Sequence, residues 1–245
     1  MELLHRAIGP LATNVYVLAD ERSREAIAID TAIPSLAWIS DELTARGWRL
    51  RFIVSTHGHW DHIGDNAAVQ AWSATQGSGG GAADAEPGHI RELPTAAGFA
   101  DPPVPSAALI AVHPLDAERL RRPQPLFAPF EIPPSVPAVD LVEGGVLRFG
   151  SVRLSVLHTP GHTEGSVSLL SDDDGLLLSG DTLFAGGWGR VDLPGGSPPQ
   201  MVESIRRLRR LPSALRVLPG HGPATTIGRE QAWMQLVDEQ GRLFA

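Results

Sequence analysis

Thr56-His57-Gly58-His59-Trp60-Asp61-His62 puts three imidazoles and a carboxylate into one short window, directly after the apolar run Phe52-Ile53-Val54. A buried strand followed by a glycine-containing turn is the local structure that fixes a backbone and aims the side chains leaving it. His57 and His59, two residues apart, point to the same side of an extended chain, and Asp61 and His62 follow after a turn. The stretch supplies only part of a coordination set. His162, Asp181 and His221 each follow their own short apolar run and stand beside a glycine, in Pro160-Gly161-His162, Gly180-Asp181 and Pro219-Gly220-His221-Gly222. One metal can take His57, His59 and His162, and a second Asp61, His62 and His221, with Asp181 bridging the two.

Composition narrows the chemistry. The 245 residues contain no cysteine, and all 20 basic residues are arginine, so thiolate ligands, disulfides, a cysteine nucleophile, a Schiff-base lysine and a phosphate-loop lysine are excluded. Any metal must be held by nitrogen and oxygen, a donor set that suits zinc, iron(II) or manganese. The formal net charge of -8 opposes a nucleic-acid role. Arg206, Arg207, Arg209 and Arg210 cluster, but they share a helical pattern with Ile205, Leu208 and Leu211 and read as an exposed face. No apolar run is long enough to span a membrane, and Met1 to Pro10 lacks the pattern of a secretory signal, so a cytoplasmic location is expected.

Outward from the histidine stretch, the patterning alternates strands and helices along an expected single domain, 1–245. Residues 11–18 and 26–30 read as an opening hairpin, its second strand closed by Asp30, with a helix from Ser35, its cap, to Gly47. A short helix is expected over 66–72 and a Gly/Pro-rich insertion, disordered or acting as a lid, over about 73–107. A strand over 108–112 leads into a helix ending near Arg121, and 123–138 reads as irregular. Strands over 146–149, 152–157, 167–170, 176–179 and 215–218 follow, with helices over 201–211 and 229–240 and a glycine-rich loop over 185–199. His5, His89 and His113 are read as structural, and His158 as structural or as a neighbour of the ligands.

His57-x-His59-x-Asp61-His62 with His162, Asp181 and His221 resembles the metallo-β-lactamase superfamily of hydrolases. Gly180-Asp181-Thr182-Leu183-Phe184, Gly189-Arg190-Val191-Asp192-Leu193-Pro194-Gly195-Gly196 and Pro219 to Gly228 are similar to its bacterial glyoxalase II-like branch (hydroxyacylglutathione hydrolase-like). That resemblance implies an α/β (α+β) fold, an αββα sandwich with two divalent metals, zinc foremost, at the edge between its sheets. It implies hydrolysis of a small acyl-thioester by a metal-bridging hydroxide, oriented by Asp61. Glyoxalase II proper continues past its last histidine into a helical region that helps bind glutathione, where this chain has residues 222–245. Trp188 and Arg190 are the expected substrate contacts, Arg190 as a carboxylate fork or, alternatively, as a partner of Asp192 that stiffens its loop. Two other functions fit the pattern less fully: an iron-dependent persulfide dioxygenase using His57, His162 and Asp181, and an RNA-processing or binding module.

Overall fold

The computed structural model describes residues 1–76, 107–124 and 130–244. Strands β1 (Glu2–Ile8), β2 (Thr13–Asp20), β3 (Glu25–Ile29), β4 (Arg49–Val54), β5 (Leu109–Val112) and β6 (Val139–Asp140) form one sheet in chain order. Its first three strands are antiparallel and its last four run parallel. Parallel neighbours need crossovers, and α1 (Leu36–Arg46) supplies the one between β3 and β4. The second sheet holds β7 (Val146–Phe149), β8 (Val152–His158), β9 (Val167–Ser171), β10 (Leu176–Gly180), β11 (Arg216–Pro219) and β12 (Thr225–Thr226), also in chain order. It is antiparallel except where β10 meets β11, the pair joined through helix α5 (Pro198–Leu208).

Alternation along the strands builds the layers. In β2, Val15, Val17 and Ala19 face the outer helices α1, α3 (Asn66–Gln76) and α4 (Ala117–Arg121), while Tyr16 and Leu18 face the second sheet. In β10, Leu176 and Leu178 point to the first sheet and Leu177 to α5 and α6 (Ile227–Gln240). Three apolar layers result, which is the αββα sandwich. The middle layer contains fully buried Leu18, Ile27, Ile29, Leu141, Phe149 and Leu154, each contributing about 1.5–3 kcal/mol through burial. No helix among the described residues is long and apolar enough to cross a membrane.

Several expectations need correction. The opening hairpin is preceded by β1, an edge strand whose sequence, Glu2-Leu3-Leu4-His5-Arg6-Ala7-Ile8, lacks the period-2 alternation that marks a half-buried strand. Residues 73–76 belong to α3, which packs Ser73 against Ala108 through an Oγ···H–N bond of 2.8 Å. The rest of the expected insertion, 77–106, lies outside the described residues, as does His89. Helix α5 begins at Pro198, capped by Ser197, and ends at Leu208, three residues short of the expected stop. The 185–199 loop is shortened accordingly.

The N-terminus of α1 is the most informative correction. Ser35 occupies the capping position, yet its side chain makes no capping bond. The carboxylate of Asp65, thirty residues on, accepts from the backbone N–H of Ser35 (2.5 Å) and Leu36 (2.9 Å). Asp65 lies two residues beyond the helical turn Trp60–Ile63 of the histidine stretch, so one carboxylate both caps α1 and ties that stretch to the outer layer. Asp65→Ala should lower unfolding stability by about 1–3 kcal/mol, whereas Ser35→Ala should change it by less than about 0.5 kcal/mol. Urea denaturation measures both; equal losses would show that the hydroxyl is the cap after all.

Candidate metal centre

Every candidate ligand leaves a strand end or the turn that follows it. His57, His59, Asp61 and His62 lie beyond β4, the last two on the single turn α2 (Trp60–Ile63). His162 follows β8, Asp181 follows β10 directly, and His221 follows β11. The sheets bring these ends to one edge of the sandwich. Three groups form there, each with its ligand atoms within 4.8 Å of one another: His57, His59 and His162; His57, His62 and Asp181; Asp61, His62 and His221.

Asp181 is central. One of its oxygens lies 3.5 Å from His162 Nε2 and 3.5 Å from His221 Nε2, and the other 3.5 Å from His62 Nε2. The carboxylate therefore stands between the two expected ligand sets. His62 Nε2 is 3.2 Å from His221 Nε2, and His59 Nδ1 is 2.8 Å from His162 Nε2.

Neighbouring groups fix the ring orientations. His162 Nδ1 donates to the Arg190 carbonyl (2.7 Å), which leaves Nε2 with a free lone pair facing the cluster. His221 Nδ1 donates to the Leu11 carbonyl (3.1 Å) with the same result. His62 Nδ1 lies 3.0 Å from Asp30 Oδ2, and Asp30 also accepts from the N–H and hydroxyl of Thr56 at 2.8 Å each. Thr13 Oγ1 donates to Asp61 Oδ2 (3.0 Å). Asn14 Nδ2 donates to the Pro219 and Gly222 carbonyls, and the Tyr16 hydroxyl also donates to Pro219 O, so β2 of one sheet holds the His221 turn of the other.

Electrostatics suits cation binding. Burial and the surrounding imidazoles push His57 and His59 well below the usual histidine range, His59 to about 3, so both present neutral rings at neutral pH. Burial also opposes charge on His62, but Asp61, Asp181 and Asp30 outweigh it and raise His62 to about 10. Asp61 is held ionised: burial favours its neutral form, but His62, His221 and Thr13 outweigh this and lower its pKa.

The residues fit two divalent cations on grounds of their own geometry. His57 Nε2 and Asp181 Oδ1 are buried without a hydrogen-bond partner among the described residues, a burial that costs about 1–3 kcal/mol per atom unless something satisfies them. Gly220 keeps the space beside Asp181 and His62 open: a Cβ there would lie 2.1 Å from Asp181 Oδ1 and 2.8 Å from His62 Cε1. The donor set is nitrogen and oxygen throughout.

All seven sequence-predicted ligands converge, whereas the expected substrate contacts separate. Trp188 does not line the cavity beside the centre; it packs on the rings of Trp233 and Phe244 in the outer layer of the second sheet. Arg190 does line it, with its guanidinium forked onto the Asp192 carboxylate at 2.8 and 2.7 Å. The apolar wall comes from Pro10, Leu11, Trp60, Phe184 and Leu193. His158 stacks on His113 at 4.2 Å, donates from Nε2 to the Glu164 carbonyl at 2.9 Å and belongs to none of the three groups. Sequence reading assigned no role at the site to Asp30 and Thr13. Asp30 carried a sequence signal, an acid closing an apolar strand, and the structure adds a left-handed backbone there (φ 56°); the carbonyl partners carry none.

The chain is 33% identical to an uncharacterized protein of Aquifex aeolicus over 95% of each sequence. It is 32% identical to the hydroxyacylglutathione hydrolase of Methylococcus capsulatus over 84% of this chain and 61% of that protein. Among solved structures it is similar to the BLEG-1 B3 metallo-beta-lactamase (TM-score 0.76, 28% identity, 96% of this chain and 99% of that one). It is also similar to TTHA1623, solved in a di-iron-bound form (TM-score 0.70, 29% identity, 93% and 96%). A family model described as the metallo-beta-lactamase superfamily matches residues 8–221, from the last residue of β1 to the last histidine of the centre, and the chain belongs to that superfamily.

Proposed function

We propose that the protein is a metal-dependent thioesterase of the glyoxalase II-like type. The observation that carries this reading is the carboxylate of Asp181 set between two nitrogen-rich ligand groups at the floor of a cavity of about 660 Å³. That volume falls in the range of small-molecule sites. Divalent ions held there would supply a water whose pKa is lowered towards about 7 and a Lewis acid for an acyl carbonyl. His57, His59 and His162 would hold one ion, Asp61, His62 and His221 the other, with Asp181 shared.

The chain's own residues do the rest. Asp61, kept as a carboxylate and steadied by Thr13, can accept a hydrogen bond from the attacking water and orient it. Leu11, Trp60, Phe184 and Leu193 line the cavity and offer an apolar bed to an acyl or thiol group. The similarity to a hydroxyacylglutathione hydrolase supports a thioester as substrate, but this chain spans only 61% of that protein, so coenzyme A thioesters belong in the test beside glutathione thioesters. Zinc is the proposed metal, with iron and manganese as the competitors.

Metal analysis by plasma mass spectrometry, paired with a panel of glutathione and coenzyme A thioesters, tests this reading. About two metals per chain and thioester cleavage are expected; a single iron with oxygen uptake on a persulfide would overturn it. His59→Ala should reduce turnover by more than the roughly 100-fold typical of losing a ligand's supporting partner, with circular dichroism unchanged. Retained activity would refute the assignment of His59.

Metal loading must also displace the proton of His62. Because that group is raised to about 10 and His221 of the same site is raised as well, zinc affinity there should rise by at least about tenfold per pH unit between pH 6 and 9. Stability of the metal-free protein runs the other way. The raised His62 contributes stability that is fully present below about pH 6.5 and lost as pH rises through about 10. Chelator competition at pH 6, 7 and 8 measures the first effect; a flat profile would mean that His62 is already neutral before metal enters.

A further inference from the structure

His57, His59 and His162 come from loops about a hundred residues apart, yet one side chain outside the ligand set holds both loops. Asp116 is completely buried and ends the short 3-10 turn Pro114–Asp116 before α4. Its Oδ2 accepts from the N–H of Gly58, the residue between His57 and His59, at 2.7 Å. The same oxygen accepts from Thr163 Oγ1, the residue after His162, at 2.7 Å. Its Oδ1 accepts from the N–H of Gly165 at 3.1 Å and lies 3.4 Å from Arg119 Nε.

Arg119, one turn further on, reinforces the same junction. Its guanidinium pairs with Glu164 and donates to the Pro194 carbonyl (3.0 Å), and its aliphatic stem closes over Gly58. A Cβ on Gly58 would meet that stem at 2.6 Å, and a Cβ on Gly165 would meet the Asp116 carboxyl at 2.7 Å. Both glycines therefore allow the carboxylate to reach main-chain N–H groups at close range.

The geometry points to Asp116 as the positioning residue of the three-histidine site: by grasping Gly58 and Thr163 together it holds the two ligand loops in register for one metal ion and leaves the other site alone. The three described groups that bond to it are all donors, and they engage both of its oxygens. An amide of the same shape, in either flip, turns an NH₂ towards at least one of those donors. Asp116→Asn thus removes the clamp with almost no change in volume. By contrast, the second site takes its orientation from Asp30, Thr13, Asn14 and the Leu11 carbonyl, none of which bonds to Asp116.

This inference rests on the two-metal reading, and zinc titration of metal-free protein against a chromophoric chelator tests the two separately. The full-length wild type, Asp116→Asn, His59→Ala and the double variant are compared. Wild type binding two zinc ions supports the two-metal reading; one ion overturns that reading, and Asp116 is then judged on whether that ion is lost in Asp116→Asn. Asp116→Asn should weaken one of the two ions by about 10- to 100-fold and leave the other unchanged. In the His59→Ala background, where the three-histidine site is already lost, adding Asp116→Asn should leave the affinity of the remaining ion as it was. Weakening of both ions, or of neither, overturns the proposal. If Asp116→Asn does not fold, Thr163→Val, which removes one donor, decides: selective weakening of one ion supports the clamp, and any other pattern overturns it.

Discussion

The Asp181 carboxylate, 3.5 Å from the Nε2 atoms of His62, His162 and His221 at once, is the constraint on which the rest depends. A buried carboxylate among imidazoles is costly unless its charge is answered, and imidazoles this close repel one another once protonated. The site resolves the conflict by uneven protonation. His57 and His59 are neutral, while His62 is pushed up by the three carboxylates around it. The lone pairs of the neutral rings and the nitrogen of His62, once its proton is lost, are the groups that would hold a cation, and binding one there would relieve both strains together.

Holding such a cluster requires a backbone that cannot spread. Buried strands supply the floor, since β4 and β10 are packed in apolar layers and their ends cannot shift without opening the core. The turns above them are then cross-tied. Asn14 and Tyr16 bind the Pro219 carbonyl of the opposite sheet, Asp30 binds Thr56 and faces His62, and Asp65 carries the histidine stretch onto the N-terminus of α1. Carboxylates make the Asp30 and Asp65 ties because an ionised oxygen accepts two donors and makes the stronger hydrogen bonds.

The convergence of the candidate ligands was legible because these residues are chemically rare in combination and sit on strong local signals: apolar runs of strand length broken by glycine. The layers were legible only through the resemblance that those residues carry, since β2 is an unbroken apolar run, Val15 to Ala19, whose residues the fold divides between the helices and the facing sheet. What escaped was decided by distant partners. Ser35 has the right composition for a cap, but the fold brings Asp65 to those N–H groups first. Strand β1 has no pattern of its own and is held by pairing with β2. Trp188 sits in the right loop for a cavity wall, yet the apolar surface of Trp233 and Phe244 draws it outward, and Trp60 and Phe184 take its place.

Arg190 shows why residue type alone misassigns such loops. Its guanidinium is exposed and already paired with Asp192, whose carboxyl it holds down to about 2, so the charge offered to a ligand is largely answered. Its backbone carbonyl does the indispensable work, because accepting the Nδ1 proton of His162 commits Nε2 to the metal side. Gly189 beside it has no room for a side chain: a Cβ would lie 2.1 Å from the Asp181 carbonyl and 3.0 Å from His162 Nδ1. The same loop thus fixes two ligands through its main chain and borders the cavity through its side chains. Substitutions at Arg190 that keep the backbone in place can therefore alter what the cavity accepts without disturbing the centre, whereas any side chain at Gly189 reaches the ligands themselves.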